Sequence, residues 1–346
     1  MSYTIIRPKD HDGWLAERKK GIGSSDAGTI MGVSPFSTPL KLWRQRKGLL
    51  EPFKESEAMR NGHYLEPAVA EYFAGSTGSV IDYSSEGDWI AADNERPYLR
   101  VSPDRLFWPE GTEHLPENRL ILEIKSTSKL VDPDNLPLYW VCQVQYQMGV
   151  MGIQMAAIAW ISSEPRLSMG HAWLRFNPAF FKTLTDAIDH FWNYNILKDI
   201  EPEPIDEDDV SLRWPTSEDN KLIRAEDADI ENCREYLRLS REKDEIEKQL
   251  SHVTTAIKTR IGDGEALITT DPDTGKTETI ARFKSINETV FDEEKFHQEK
   301  PEEYVKYIRK FFDKNTFKDE DKANWNAYST KKKGTRRFSV VMKQSA

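Results

Sequence analysis

Two carboxylates and a lysine stand at spacings that could cut a phosphodiester bond. Asp104 follows Ser102 and Pro103 just after a short apolar run, and Glu123-Ile124-Lys125 closes the run Leu120-Ile121-Leu122. Phosphodiester hydrolysis needs charge neutralised on the phosphate, a hydroxide made near neutral pH and a stabilised leaving oxygen; one or two Mg²⁺ ions held by carboxylates supply all three. Mg²⁺ takes oxygen ligands and keeps several waters, so two or three carboxylates and a backbone carbonyl suffice, with Mn²⁺ as a substitute. In a strand, Glu123 and Lys125 share one face, where the ammonium can orient the attacking water or stabilise developing negative charge. Ile124 points the other way, into the core, and leaves its carbonyl available. Glu-x-Lys after an Asp also recurs by chance in a charged chain, and the plain readings of these residues are a turn at Ser-Pro-Asp and an exposed ladder pair. Context favours a site, because this Glu-x-Lys ends an apolar strand.

The elements around these residues alternate between helix and strand signals. Residues 37–47 read as a helix opened by a Ser/Thr cap with Pro39 in its first turn, and residues 66–73 as a second helix with Pro67 at its start. Residues 80–83, 89–92 and 99–101 are short strand-like runs, and residues 120–125 read as a largely buried strand that emerges at a site. An apolar helix over 138–151, strands over 156–162 and 170–176, and an amphipathic helix over 178–197 follow. This order predicts a mixed α/β domain over residues 1–200. The acidic, Pro-rich stretch that begins EPEPIDEDD marks a linker over 201–226. Residues 227–346 then form an appendage: a long packed or antiparallel-paired helix, a hairpin turning at residues 271–275, and a last strand over 338–342.

Six stretches, in order, resemble one family. RKKGIGSSD of residues 18–26 with GVSPF of residues 32–36, GHYLEP of residues 62–67, SPDR of residues 102–105, LEIKS of residues 122–126 and QVQYQM of residues 143–148 are similar to the motifs of YqaJ-type viral recombinases. These are phage alkaline exonucleases similar to lambda exonuclease, within the PD-(D/E)xK nuclease superfamily. The resemblance covers about residues 14–160. It implies a restriction-endonuclease-like fold, a mixed central sheet flanked by helices. Asp104 and Glu123 would be metal ligands, Ile124 would lend its carbonyl, and Glu66 would complete the metal or water shell. Lys125 and Gln143 would position the nucleophile; between Gln143 and Gln145 the resemblance favours Gln143 as the one that faces the metal. Arg18, Ser25 and Ser102 match positions that grip a DNA 5′-phosphate, which suits a planar guanidinium with hydroxyls beside it. Arg105 departs from the family, which often has glycine there.

The implied activity is Mg²⁺-dependent 5′-to-3′ digestion of linear duplex DNA, leaving 3′ single-stranded tails for recombination. Double-stranded DNA ends, a single-strand annealing protein and further copies of the chain in a ring-shaped homotrimer are the implied partners. Two alternatives stand beside it: an endonuclease or resolvase of the same fold, and a non-catalytic DNA-end-binding scaffold. Several residues also have plainer readings. Glu66 could be an early-helix carboxylate favoured by the helix dipole, Arg18 part of a solvated basic patch, Ser25 and Asp26 a helix cap, His63 a surface histidine, and residues 331–337 a charged tail.

Bulk properties constrain less. The net charge of −10 speaks mildly against nucleic acid, but residues 1–50 hold nine Lys/Arg against four Asp/Glu, and residues 301–346 hold twelve against six. Phosphate binding needs local positive charge, not a basic average. Two cysteines, far apart, fit a reducing cytoplasm better than a disulfide scaffold, and neither a signal peptide nor a membrane span is expected.

Overall fold

Strand β1 (Tyr3–Ile6) and helix α1 (His11–Arg18) open the chain, with Asp10 capping α1 by accepting from the Gly13 N–H at 2.7 Å. A short 3-10 turn, Ser24–Asp26, runs into α2 (Ala27–Ile30). Helix α3 (Pro39–Arg46) has Thr38 as its cap and Pro39 in its first turn, as the sequence predicts. Helix α4 (Glu57–Thr77) is 21 residues long, capped by Ser56 and ended by Gly78 at φ 67°. It corrects the expected start at Glu66: Pro67 sits in the middle of the helix. Proline cannot donate to the preceding turn, but the Ser56 cap with Glu57, Ala58, Met59 and Arg60 starts the helix upstream, and the apolar face after Pro67 carries it through. Glu66 therefore has no helix-end dipole to hold it. The computed structural model describes residues 2–51, 56–85, 87, 89–164, 166–285, 292–307, 314–329 and 338–340.

Strands β2 (Val80–Asp82), β3 (Ile90–Asp93), β4 (Arg100–Val101), β5 (Arg105–Trp108) and β6 (Leu120–Thr127) come next. Helix α5 (Leu138–Met151), strands β7 (Met155–Ser162) and β8 (Ser168–Arg175), and helix α6 (Pro178–His190) complete the sheet and its cover. The main sheet has the order β2-β5-β6-β7-β8, antiparallel except for β6 and β7, which run parallel with Glu123 opposite Ile158. A parallel pair needs a crossover, and α5 is that crossover. The small sheet β1-β3-β4 stands apart from it. Strand β5 was not among the expected strands, since it is only four residues long and follows Pro103 and Asp104, which read as a turn.

Two cores sandwich the main sheet. Ile121, Ile158 and Trp160 pack with α5 and α6 on one face; Leu122, Ala157, Ala159 and Ile161 pack with Val69 and Phe73 of α4 on the other. The period of two in a strand fixes the sides: Glu123 and Lys125 fall on the α5 side with Ile121, and Ile124 on the α4 side, packed against the second core. Helix α5 ends at Gly152, whose φ of 70° suits glycine. Gly28 of α2 lets the backbone of Tyr139 approach so closely that a Cβ would stand 2.8 Å from the Tyr139 Cβ. That approach seats the Ser24–Asp26 turn against α5.

The chain divides into two compact units, Met1–Trp214 and Pro215–Ala346. The expected linker is in part a structured piece of the first. Helix α7 (Glu207–Arg213) presents fully buried Asp209 to the Thr38 hydroxyl, which donates at 2.6 Å, and Arg44 donates to the Leu212 carbonyl at 2.6 Å. The negative charges of this stretch serve packing against α3.

The second unit contains α8 (Asp227–Ile261) and a hairpin of β9 (Ala266–Thr270) and β10 (Thr277–Arg282). Its turn is the expected one, with Asp271 Oδ1 accepting from the Asp273 N–H at 2.8 Å. Among the described residues the expected seam of α8 is covered only in part: Ile230, Cys233 and Leu237 are half-buried, while Ile246, Leu250 and Val253 are exposed. Among the described residues four short helices follow that were not among the expected elements: α9 (Glu293–Glu299), α10 (Pro301–Tyr307), α11 (Lys314–Glu320) and α12 (Lys322–Tyr328), with Asp292 and Asp321 capping the first and the last. Residues 338–340 are not strand; the rest of the expected last strand and the basic stretch 331–337 lie outside the described residues. Among the described residues no helix is long and apolar enough to cross a membrane.

Candidate active site

Asp104 ends the loop before β5, and β5 pairs with β6 so that Arg105 faces Leu122. This register brings the Asp104 carboxylate to the β6 backbone, where Oδ2 accepts from the Ile124 N–H at 2.7 Å. Glu123, on the α5 side of the same strand, is only 1 % exposed. A buried carboxylate needs donors, and three side chains provide them. Lys125 Nζ donates to its Oε1 at 2.6 Å, Gln143 Nε2 donates to the same oxygen, and Gln147 Nε2 donates to Oε2 at 2.8 Å. Lys125 Nζ also donates to Gln143 Oε1 at 2.9 Å, which closes a ring of strand and helix side chains.

The electrostatics follow from crowding. Asp104 is half-buried, and its carboxyl is held well above the usual carboxylate range, first by burial and then by the neighbouring charges of Glu123 and Glu66. Burial pulls the Lys125 ammonium toward deprotonation, but Glu123 and Asp104 outweigh it and raise the group above an ordinary lysine. Lys125 is thus a fixed cation, suited to stabilising charge and not to accepting a proton.

Of the two glutamines weighed from the sequence, Gln143 is the one at the site. Gln145 is buried elsewhere, donating to the Arg175 carbonyl at 2.7 Å and accepting from the Asn177 N–H at 2.8 Å, which ties α5 to the start of α6. Gln147 was missed. It lies one helical turn beyond Gln143, so the spacing of four between two glutamines on an apolar helix was the available signal. Its Nε2 also reaches Ser24 Oγ at 3.3 Å, and its buried Oε1 has no hydrogen-bond partner.

Glu66 lies close enough for its charge to act on Asp104, and Arg105 engages it. Its Oε1 accepts from Arg105 NH1 at 2.6 Å, and the same NH1 donates to the Asp104 carbonyl at 2.6 Å. Among the described residues no group of three or more His, Cys, Asp and Glu side chains is arranged to hold a metal ion together. Asp104 and Glu123 with the Ile124 carbonyl still fit a hard divalent cation, because the donors are all oxygen and Mg²⁺ completes its shell with water. The repulsion that raises Asp104 is the kind that a cation between two carboxylates relieves.

Arg18 and Ser25 are brought together: the guanidinium donates to Ser25 Oγ at 3.1 Å while lying 4.6 Å from the centre of the Trp14 ring. Burial lowers the Arg18 pKa, with Arg46 acting the same way and Asp26 opposing, but arginine stays charged. Asp26 is held by Arg46 NH2 at 2.6 Å, so that turn is braced from α3. Ser102 is differently engaged. Its hydroxyl donates to the Trp89 carbonyl at 2.6 Å, which commits its proton to the backbone.

Residues 13–154 match the family model of the YqaJ-like viral recombinase domain. The chain is similar to YqaJ of Bacillus subtilis (strain 168), 28% identical over 266 residues that make up 73% of this chain and 79% of that protein. Among solved structures, an alkaline exonuclease from Laribacter hongkongensis is 16% identical with a TM-score of 0.41, over 54% of this chain and 93% of that one. A phage-related exonuclease from Haemophilus somnus 129PT is 12% identical with a TM-score of 0.37, over 52% and 96%.

Proposed function

We propose that the protein, whose residues 13–154 match the YqaJ-like viral recombinase domain model, is a Mg²⁺-dependent exonuclease that digests linear duplex DNA from its 5′ ends and leaves 3′ single-stranded tails. The observation that carries this reading is the convergence of Asp104 and Glu123 at one point on β6, with Lys125 and Gln143 bonded to Glu123. Asp104, Glu123 and the Ile124 carbonyl would hold the cation, which when bound supplies Lewis acidity at the phosphate and acidifies a water.

The protein's own groups do the rest. The Lys125 ammonium, kept protonated by its carboxylate neighbours, offsets negative charge as it grows on the scissile phosphate. Gln143 holds Lys125 and Glu123 in one orientation, so neither must reorganise during the reaction. Arg18 and Ser25 form a guanidinium–hydroxyl pair that suits a terminal 5′-phosphate, and this supports the 5′-to-3′ direction. A role in recombination, a single-strand annealing partner and a ring of three copies belong to the same reading and rest on the family resemblance.

The test uses a 5′-phosphorylated linear duplex and a covalently closed circle, each with Mg²⁺ or EDTA. Wild type should release nucleotides from the linear substrate alone and only with Mg²⁺, and Lys125→Ala should slow release about 10²–10³-fold. Cleavage of the circle would favour an endonuclease. Release indifferent to EDTA and to Lys125→Ala would remove the assignment.

A further inference from the structure

We propose that Phe36 and Tyr139 form a stacking subsite, at the open end of the site, for a nucleobase at the 5′ end of the strand being digested. This rests on the nuclease reading above and adds to it how the nucleobase is held as well as the phosphate.

Helix α5 places the subsite. Tyr139, Gln143 and Gln147 are spaced by four and share one face of the helix. Burial deepens along that face: Tyr139 and Gln143 are half-buried, and Gln147 is fully buried. The two glutamines hold Glu123, so Tyr139 lies one turn, about 5.4 Å, nearer solvent. Its phenol stands near enough to Lys125 to act on that group's charge. Phe36 meets Tyr139 edge to face, with ring centres 5.7 Å apart, and is itself 79% exposed. Tyr139 also packs against the first core. It therefore anchors the pair, and Phe36 presents a ring to solvent.

Backbone contacts fix that ring. The Gly28 carbonyl accepts from the Val33 N–H at 3.0 Å and the Ser34 N–H at 3.1 Å, and Ser34 Oγ accepts from the Phe36 N–H at 3.3 Å. Gly28 in turn lies against the backbone of Tyr139, and its helix α2 continues from the turn that carries Ser25. One frame thus holds Ser25, Phe36 and Tyr139. A single exposed phenylalanine is ordinary on a protein surface. A fixed one beside a cationic site has a matching ligand, because a nucleotide brings a phosphate and a flat π-face together. Arg18, Ser25 and Lys125 carry charge and donors for phosphate; Phe36 and Tyr139 carry the aromatic surface. Stacking tolerates any sequence, since every nucleobase has a π-face, and digestion from an end demands that tolerance.

The experiment measures Kd by fluorescence anisotropy for the full chain, with Ca²⁺ in place of Mg²⁺ so that the DNA stays intact. Two 5′-phosphorylated duplexes are compared, each with its first two 5′ nucleotides unpaired: one carries nucleobases there, the other abasic units. Wild type should bind the abasic duplex about tenfold more weakly. Phe36→Ala should bring the ratio of the two Kd values near one, and Phe36→Trp should keep it about tenfold. Phe36→Leu, which keeps apolar bulk without a π-face, should match Phe36→Ala and carries the test if the alanine variant melts early by circular dichroism. A ratio near one for wild type, or a ratio unchanged in Phe36→Ala and Phe36→Leu, overturns the subsite and leaves the nuclease reading standing. A tenfold ratio abolished by both substitutions, in a protein that releases no nucleotide with Mg²⁺, supports the subsite and overturns the nuclease reading alone. No binding of either duplex by wild type overturns both.

Discussion

Gln147 of α5 donates to Glu123 Oε2 across 2.8 Å, and the same nitrogen reaches Ser24 Oγ at 3.3 Å. One buried amide therefore touches both the carboxylate proposed to hold metal and the turn that carries Ser25. Removing that donor leaves Glu123 with one oxygen unpaired, and groups that orient a metal ligand typically change metal affinity or activity about 10–100-fold. Gln147→Leu is expected to lose nuclease activity in that range, beside a stability cost of about 1–3 kcal/mol for the buried carboxylate oxygen it leaves unpaired. Gln145→Leu should share the stability cost but spare activity. It strips the Arg175 carbonyl and Asn177 N–H of their partner, costing about 1–3 kcal/mol in denaturant unfolding, with activity at low temperature kept. Equal effects of the two substitutions on activity would remove the distinction drawn between them.

Arg18 lies over Trp14 and donates to Ser25, so its fork is oriented before any phosphate arrives. Lysine cannot reproduce a planar, stacked fork. Arg18→Lys should weaken the preference for 5′-phosphorylated over 5′-hydroxyl ends about tenfold, measured as the ratio of digestion rates on the two substrates. An unchanged ratio would return Arg18 to the role of a surface cation.

Burial pushes the Cys142 thiol up to about 11 from an ordinary 9.0. Below about pH 9 the thiol is protonated in both folded and unfolded chains. Between pH 9 and 11 the unfolded chain gives up its proton while the folded one keeps it, so native stability falls as pH rises through that window. The melting temperature should therefore drop less for Cys142→Ala than for wild type between those pH values. At pH 8 a thiol reagent should label half-buried Cys233 and spare buried Cys142 until the chain is unfolded. Rapid labelling of both would contradict the burial of α5.

Asp209 and Arg44 set a boundary for the first unit. Asp209 takes the Thr38 hydroxyl, and Arg44 takes Glu201 and the Leu212 carbonyl. A chain cut after Trp214 should fold with cooperative melting. A chain cut after Ile200 leaves Arg44 and Thr38 without those partners and should lose on the order of 3 kcal/mol. Equal stability of the two would make 201–214 the linker that its composition suggests.

That acidic stretch shows where composition misleads. A run of Asp, Glu and Pro is the usual mark of a solvated connection, yet its charges meet Lys41, Arg44 and Arg213 and one of its aspartates is fully buried. Pro67 shows the same for helix starts. Local rules place it in a first turn, but the Ser56 cap starts α4 well upstream, and packing of Val69 and Phe73 against the core holds the helix beyond the proline. In α8 the helix is the expected one, but among the described residues Ile246, Leu250 and Val253 of its seam are exposed, since helical spacing alone does not supply a surface to bury a seam.

Local chemistry is what the amino-acid order determined unaided. Glu123 and Lys125 share a face because strand side chains alternate, Asp104 precedes them in a set of motifs, and the 138–151 helix is bounded by Pro137 and Gly152. Only the tertiary structure decided which groups meet. The β5–β6 register carries Asp104 to the Ile124 N–H, the α5 crossover lays Gln143 and Gln147 on Glu123, and the packing of α4 hands Glu66 to Arg105. Those contacts join residues far apart in the chain, and their geometry is set by sheet register and helix packing, which short-range periodicity does not encode.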